Sequence, residues 1–264
     1  MRPFSKGRAH RASSSSSNGE LLEAHDLRVR FAGVKAVDGV DLVLRTGEIL
    51  GLIGPNGAGK TTVVNALSGF QRPTSGTVQV GGRDVTGSPP HRLARVGLGR
   101  SFQGMRLFAN MTVLENVELG GVGVGIARHL ARAYALELLE RLGLADKTDL
   151  QARVLPFGDE RRLGIARALA MRPRFLLLDE PGAGLNEVES EELMGVITAI
   201  RNDLDCGLLV IEHDMRLIMG VCERIQVLDH GRTISSGTPA EIQADPAVVA
   251  AYLGTRRSRR IARA

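Results

Sequence analysis

The run Gly54-Pro55-Asn56-Gly57-Ala58-Gly59-Lys60-Thr61-Thr62 carries the first legible chemistry in the sequence. It satisfies the pattern G-x-x-x-x-G-K-[ST] in full. Its glycines let backbone N–H groups turn inward around an anion, and a helix opening just behind them adds partial positive charge. Lys60 has the reach for β- and γ-phosphates, and Thr61 carries a hydroxyl for Mg²⁺. A chance Gly-rich turn need not follow an apolar strand or precede a helix-compatible segment; this run does both. The chemistry implied is the binding of a nucleoside triphosphate with magnesium.

Phe175-Leu-Leu-Leu-Asp179-Glu180 supplies a second half. An apolar strand delivers Asp179 to its C-terminal end, where ligands bind in open parallel sheets. There Asp179 is suited to Mg²⁺, and Glu180 to polarising an attacking water. Alone, a carboxylate pair often caps a strand with no chemical role; about 120 residues after a phosphate loop it reads as catalytic. Gln103 follows Leu98-Gly-Arg-Ser-Phe102, and His213 follows Leu208-Leu-Val-Ile-Glu212. A single Gln or His is ordinarily structural. In the chain order phosphate loop, Gln, Asp-Glu, His, the two read as γ-phosphate sensors, with Gln103 also a metal ligand.

These residues need strand ends and helix starts to hold them. Alternation of Val29 and Phe31 with Arg28 and Arg30, then of Val40, Leu42 and Leu44, predicts strands between Ala24 and Leu44. Ile49–Ile53 reads as a buried strand, followed by a helix over 59–67. Further strands are expected at 77–80, within 92–104 (with a polar end), at 175–178, 208–211 and 225–228. Helices are expected at 112–119, 127–143, 158–170 and 187–202. The fold class is α/β: a P-loop NTPase core with a mainly parallel sheet flanked by helices, an antiparallel β portion near the N-terminus, and a helical subdomain at about 105–170. One domain is expected over 20–255. It lies between a Ser-rich basic tail (1–19), read as disordered, and a basic C-terminal tail (256–264).

Composition narrows the function classes. The 264 residues carry a formal charge of +5, but nine of the 34 basic residues and one of the 29 acids, Glu20, lie in residues 1–20 and 256–264. Residues 21–255 therefore hold 25 basic against 28 acidic residues. The basicity belongs to tails that touch lipid or nucleic acid weakly at most, so no specific nucleic-acid partner is expected. Trp is absent and there are two Tyr, which argues against a base-stacking platform. Cys206 and Cys222 lack metal-ligand spacing and read as reduced, buried or semi-buried thiols of a cytoplasmic protein. No stretch approaches the ~20 apolar residues of a membrane helix, so a membrane role requires a partner.

The motifs together resemble the ATP-binding subunit of an ABC transporter over about Leu21 to Gly254. Within that family the chain is similar to the branched-chain amino-acid importer type. The stretches that carry this likeness are Arg100-Ser-Phe-Gln-Gly-Met-Arg-Leu-Phe108, Met111-Thr-Val-Leu-Glu-Asn116, Arg161-Arg-Leu-Gly-Ile-Ala-Arg-Ala168, Pro181-Gly-Ala-Gly-Leu-Asn186, Ile211-Glu-His-Asp-Met215 and Ala251-Tyr-Leu-Gly254. Urea or amide importers and lipopolysaccharide-export ATPases share part of the pattern. Non-transport ABC ATPases are the more distant alternative, since they usually pair two such domains in one chain. The resemblance implies ATP and Mg²⁺ as cofactors. It implies an ATPase coupled to transport, peripheral at the cytoplasmic face of the membrane. Its partners would be permease subunits, a second ATP-binding subunit and, indirectly, a solute-binding protein. It also implies Phe31 as the adenine-stacking aromatic with Val37 beside it, Gly184-Leu185-Asn186 as the D-loop, and the segment after Gln103, around 107–116, as the permease contact.

One motif departs from the family. Where the signature reads Leu-Ser-Gly-Gly-Gln, this chain has Leu155-Pro156-Phe157-Gly158-Asp159. The resemblance implies that this segment caps the γ-phosphate on a partner subunit. Pro156 offers neither a hydroxyl nor an N–H for that task, though it suits a helix start. Asp159 is expected to place negative charge near the phosphate. Its own loop intact and its signature poor, the chain is expected in an asymmetric machine, a heterodimer being favoured over a homodimer.

Overall fold

The computed structural model describes residues 19–101 and 106–252. The expectations for Gln103 and for both tails lie outside the described residues. The strands are β1 (Leu21–Phe31), β2 (Val34–Arg45), β3 (Ile49–Ile53), β4 (Ser75–Val80), β5 (Arg83–Asp84), β6 (Leu98–Arg100), β7 (Phe175–Asp179), β8 (Gly207–Ile211), β9 (Arg224–Asp229) and β10 (Arg232–Gly237). The helices are α1 (Lys60–Leu67), α2 (Pro90–Arg95), α3 (Val113–Gly123), α4 (Arg128–Arg141), α5 (Phe157–Leu169), α6 (Glu187–Leu204), α7 (Met215–Val221) and α8 (Pro239–Ala244).

Two sheets form. The antiparallel one has the order β2-β1-β4-β5, and the larger one β10-β9-β3-β8-β7-β6. In the larger sheet β9, β3, β8, β7 and β6 run parallel, and β10 turns back on β9. The parallel strands are buried on both faces, which is why they read as unbroken apolar runs. Their side chains sort by the period of two. Ile49, Ile53, Leu176, Leu178, Leu208 and Val210 face the helical side, where α3 to α7 pack. Leu50, Leu52, Phe175, Leu177, Leu209 and Ile211 face the opposite core, shared with α1 and the antiparallel sheet.

Helix starts follow local chemistry. Thr112 with Glu115 and Asn186 with Glu189 form capping boxes at α3 and α6. Among the described residues, the strand expected within 92–104 is Leu98–Arg100. Pro89 and Pro90 open α2 ahead of it. Pro90 at the first helical position has the right φ and loses no needed hydrogen bond. The helix it starts runs to Arg95 with Val96 as its cap, so the strand begins only at Leu98. A tight approach joins α3 to α5: a methyl group built on Gly120 would lie 2.3 Å from the Arg167 carbonyl oxygen. Among the described residues no helix is long and apolar enough to cross a membrane.

Candidate functional site

The phosphate loop links β3 to α1. Its conformation demands glycine at two points for steric reasons. Gly54 has φ 150° and a Cβ there would sit 2.1 Å from the Leu228 carbonyl oxygen. Gly59 has φ 103° and a Cβ there would meet the Ala36 carbonyl oxygen at 2.5 Å. No L side chain fits either position. The loop is thus wedged between β9 and the start of β2, and Gly231 N–H donates to the Ala58 carbonyl at 2.9 Å. Gly54, Pro55 and Ala58 are buried, whereas Asn56, Gly57 and Thr61 are exposed and Thr62 half-buried.

Lys60 is buried at the root of the loop. Its Nζ donates to the Gly54 carbonyl at 2.8 Å and to the Pro55 carbonyl at 3.1 Å. Burial lowers its pKa, with Glu180 and Asp179 pulling the other way. The two carboxylates therefore lie close enough to act on the lysine. Asp179, buried at the end of β7, accepts from Arg100 Nη2 at 2.6 Å.

Glu180 follows in a left-handed conformation, φ 49°. Non-glycine residues adopt this only when surroundings hold them there. Here Glu180 N–H donates to the Ile211 carbonyl at 2.9 Å, and Ala183 N–H donates to the Glu180 carbonyl at 3.2 Å. The twist presents the side chain to His213, whose Nε2 lies 3.0 Å from Glu180 Oε1. Glu212, which the sequence does not single out, sits beneath them. It is buried, accepts from the N–H groups of Gly182 and His213, and has its pKa raised chiefly by burial. It buttresses the turn after Glu180 and the one carrying His213.

Further out, Phe31 is 46% exposed, while Val37 is wholly buried in register with Val29. The expectation that both border a nucleotide base is corrected for Val37. Its position in β2 turns the side chain into the core between the sheets, and Phe31 alone of the two offers a surface.

The segment 155–159 opens α5. Leu155 and Gly158 are buried, and Pro156 occupies the cap position with no side-chain cap bond. Phe157, 44% exposed, lies under Arg161, with the guanidinium carbon 4.8 Å from the ring centre. Arg161 Nη2 also donates to the Ala183 carbonyl at 2.9 Å. A methyl group built on Gly184 would come within 2.9 Å of the Phe157 ring. The segment 155–159 and the loop Gly184-Leu185-Asn186 are thereby joined within the chain.

Asp159 overturns its expectation. Its side chain is 4% exposed and pairs with Lys147 Nζ at 2.6 Å and with Arg162 Nη2 at 2.6 Å. At the third helical position it points along the helix into the protein, and two cations neutralise it. It does not place an uncompensated charge at the helix tip.

A family profile described as "ABC transporter" matches residues 37–183. A relative named high-affinity branched-chain amino acid transport ATP-binding protein LivG, from Salmonella typhimurium, is 45% identical over 249 residues, covering 89% of this chain and 98% of its own. The chain belongs to the ABC transporter family.

It is an ATP-binding subunit of the ABC type, and as such an ATP hydrolase coupled to transport. A second profile, described as "Branched-chain amino acid ATP-binding cassette transporter", matches residues 232–257. The ADP conformation of MJ1267, an ATP-binding cassette of an ABC transporter, superposes with a TM-score of 0.81 at 28% identity, covering 89% of this chain and 99% of its own. A dimeric ATP-binding cassette, MJ0796 bound to ADP and Pi, superposes with a TM-score of 0.73 at 25% identity, covering 83% of this chain and 98% of its own. Of the site residues of this ABC subunit, the sequence does not foretell Glu212, Arg161 and the pairing of Arg100 with Asp179. Each acts through a partner brought in from another element, and only the fold reveals which.

Proposed function

We propose that this chain is the ATP-hydrolysing subunit of an importer for branched-chain amino acids, held at the cytoplasmic face of the membrane by permease subunits. The near full-length likeness to a protein of that printed name supports the substrate class, as does the profile over 232–257. The Glu180–His213 pair, 3.0 Å apart beside a buried lysine and a buried aspartate, carries the hydrolytic part.

The residues fit a magnesium-bound triphosphate. Lys60 is a buried cation whose hydrogen bonds go to two neutral carbonyls, so an arriving polyphosphate supplies a directly bonded anionic partner. In this reading Gly54 to Thr62 cradle the phosphates and Phe31 stacks on the adenine. Thr61, Asp179 and Gln103 hold the metal, which when bound neutralises phosphate charge. Glu180 polarises the attacking water, and His213 orients Glu180 and senses the γ-phosphate. The segment Leu155 to Asp159 and the loop Gly184 to Asn186 serve a second ATP-binding subunit.

The ATPase unit spans about 20–255, with the helices of 105–170 as its permease-facing subdomain. A groove of about 490 Å³ between α2, α3 and α5 supports that assignment. It is lined by Phe108, Leu119 and Met171, with His91, Arg106 and Arg167 adding a basic character suited to an amphipathic helix. A heterodimer is favoured because Pro156 weakens what this chain offers a partner's ATP, and a solute-binding protein would act beyond the permease.

The test is Glu180→Gln in the membrane-extracted complex. ATP binding is expected to persist while turnover falls at least about 10²-fold; unchanged hydrolysis removes Glu180 from its role. Purified alone, the chain is expected to show low ATPase activity, and robust cooperative activity of an isolated homodimer defeats the heterodimer reading. Co-purified chains identify the permease and any second ATPase.

A further inference from the structure

Arg100 is the residue whose surroundings the site chemistry above leaves unexplained. It ends β6, beside β7, and its guanidinium spans two elements. Nη2 donates to Asp179 Oδ2 at 2.6 Å. Nη1 donates to Asn65 Oδ1 at 2.7 Å and to Ser68 Oγ at 2.9 Å, both at the C-terminal half of α1. The guanidinium carbon lies 5.4 Å from the centre of the Phe70 ring. The side chains of Arg100 and Asp179 are 8% and 5% exposed.

Two physical points follow. A buried carboxylate needs a cation, and without Arg100 the nearby cation would be Lys60. A Lys60–Asp179 pair would have to break before the lysine could serve a phosphate. Arg100 gives Asp179 a partner that does not compete for nucleotide. Second, Asn65 lies four residues after Thr61 on α1, so the two share a helix face. Thr61 and Asp179 are the proposed metal ligands, and they sit on different elements. The planar fork of Arg100 bridges those elements, gripping α1 with one nitrogen and Asp179 with the other. A lysine ammonium, a point donor on a flexible stem, lacks that rigid two-nitrogen fork.

We propose that Arg100 is a positioning residue for the divalent cation: it fixes the separation of Thr61 and Asp179 by tying the aspartate, through Oδ2, to the helix that carries the threonine. This rests on the metal reading of Asp179 given above. Partners that orient metal ligands typically change metal affinity about 10- to 100-fold when removed.

The experiment measures ATP affinity by titration calorimetry of the full chain, once with Mg²⁺ and once with EDTA. The ratio of the two affinities is the readout. For Arg100→Gln the ratio is expected to fall at least about tenfold while metal-free affinity stays within about threefold. Arg100→Lys is expected to fall between. Asn65→Ala, which loosens the anchor and spares the ion pair, is expected to lower the ratio in the same direction, and it serves if Arg100→Gln does not fold. An unchanged ratio in Arg100→Gln, or in both Arg100→Lys and Asn65→Ala, overturns the proposal. So does a higher ratio, or an equal loss with and without metal. A wild-type chain whose ATP affinity ignores Mg²⁺ overturns the metal reading of Asp179 itself, and this inference with it. A wild-type dependence that survives in the variants overturns only the role of Arg100.

Discussion

Replacing Asp159 with Asn separates two pictures of the signature segment. The structure buries this carboxylate between Lys147 and Arg162, each 2.6 Å away. Asn keeps the shape and one acceptor oxygen but removes the charge and points an amide toward a cation. Breaking a buried ion pair from one side costs about 3–5 kcal/mol when the orphaned charge stays buried. Lys147 and Arg162 are 27% and 25% exposed, so water recovers part of that loss. The expected cost is therefore about 2–3 kcal/mol, below the fully buried range. For a domain of this size that lowers Tm by about 4–12 °C. Thermal unfolding followed by circular dichroism reads the shift, and ATP binding by the folded variant should be unchanged. If Asp159 instead repelled a phosphate at the helix tip, Asp159→Asn would leave Tm alone and raise ATPase activity in the assembled complex. That pair of results would refute the inward placement.

Two further variants probe the site. His213→Ala removes the group 3.0 Å from Glu180 and should lower kcat about 10²-fold. KM for ATP should shift far less, because in the proposed site the phosphate loop supplies most of the binding contacts, and steady-state kinetics separates the two. Gly184→Ala forces an alanine into φ 83° and drives its methyl group against the Phe157 ring. The left-handed backbone alone costs about 1–2 kcal/mol. Adding Phe157→Ala should recover the clash but not the backbone strain, so a double-mutant cycle in denaturant should show coupling above about 0.5 kcal/mol; strict additivity would mean the two segments do not touch.

The parallel strands were legible because burial on both faces leaves an apolar run with no polar phase, and the phosphate loop because its glycines answer to steric demands no other residue meets. Asp179, Glu180 and His213 were legible from their place at the ends of such runs. What escaped was chemistry settled between elements. Lys147 lies twelve residues before Asp159 in a short 3-10 segment, and nothing in that spacing marks the two as partners. Arg100 and Asp179 are 79 residues apart and meet only because β6 pairs with β7. Val37 was misplaced because a resemblance carries a position but not the direction of a side chain.

Turning Asp159 inward changes what the departure at the signature means. Two faults were expected there, a missing hydroxyl and N–H at Pro156 and a repelling carboxylate. Only the first remains. The outward turn of α5 has no side-chain cap, and the positive end of a thirteen-residue helix faces outward there. In the proposed dimer an anion would meet that end directly. The deficit is then the lost contacts of Pro156, about 1–3 kcal/mol for each charge-assisted hydrogen bond missing. A loss of that size slows one site by about one or two powers of ten per bond and does not close it. The cis clasp of Arg161, Phe157 and Ala183 keeps the weakened segment in step with its own D-loop. In the proposed heterodimer the two sites would therefore differ in degree, both turning over, rather than one being silent.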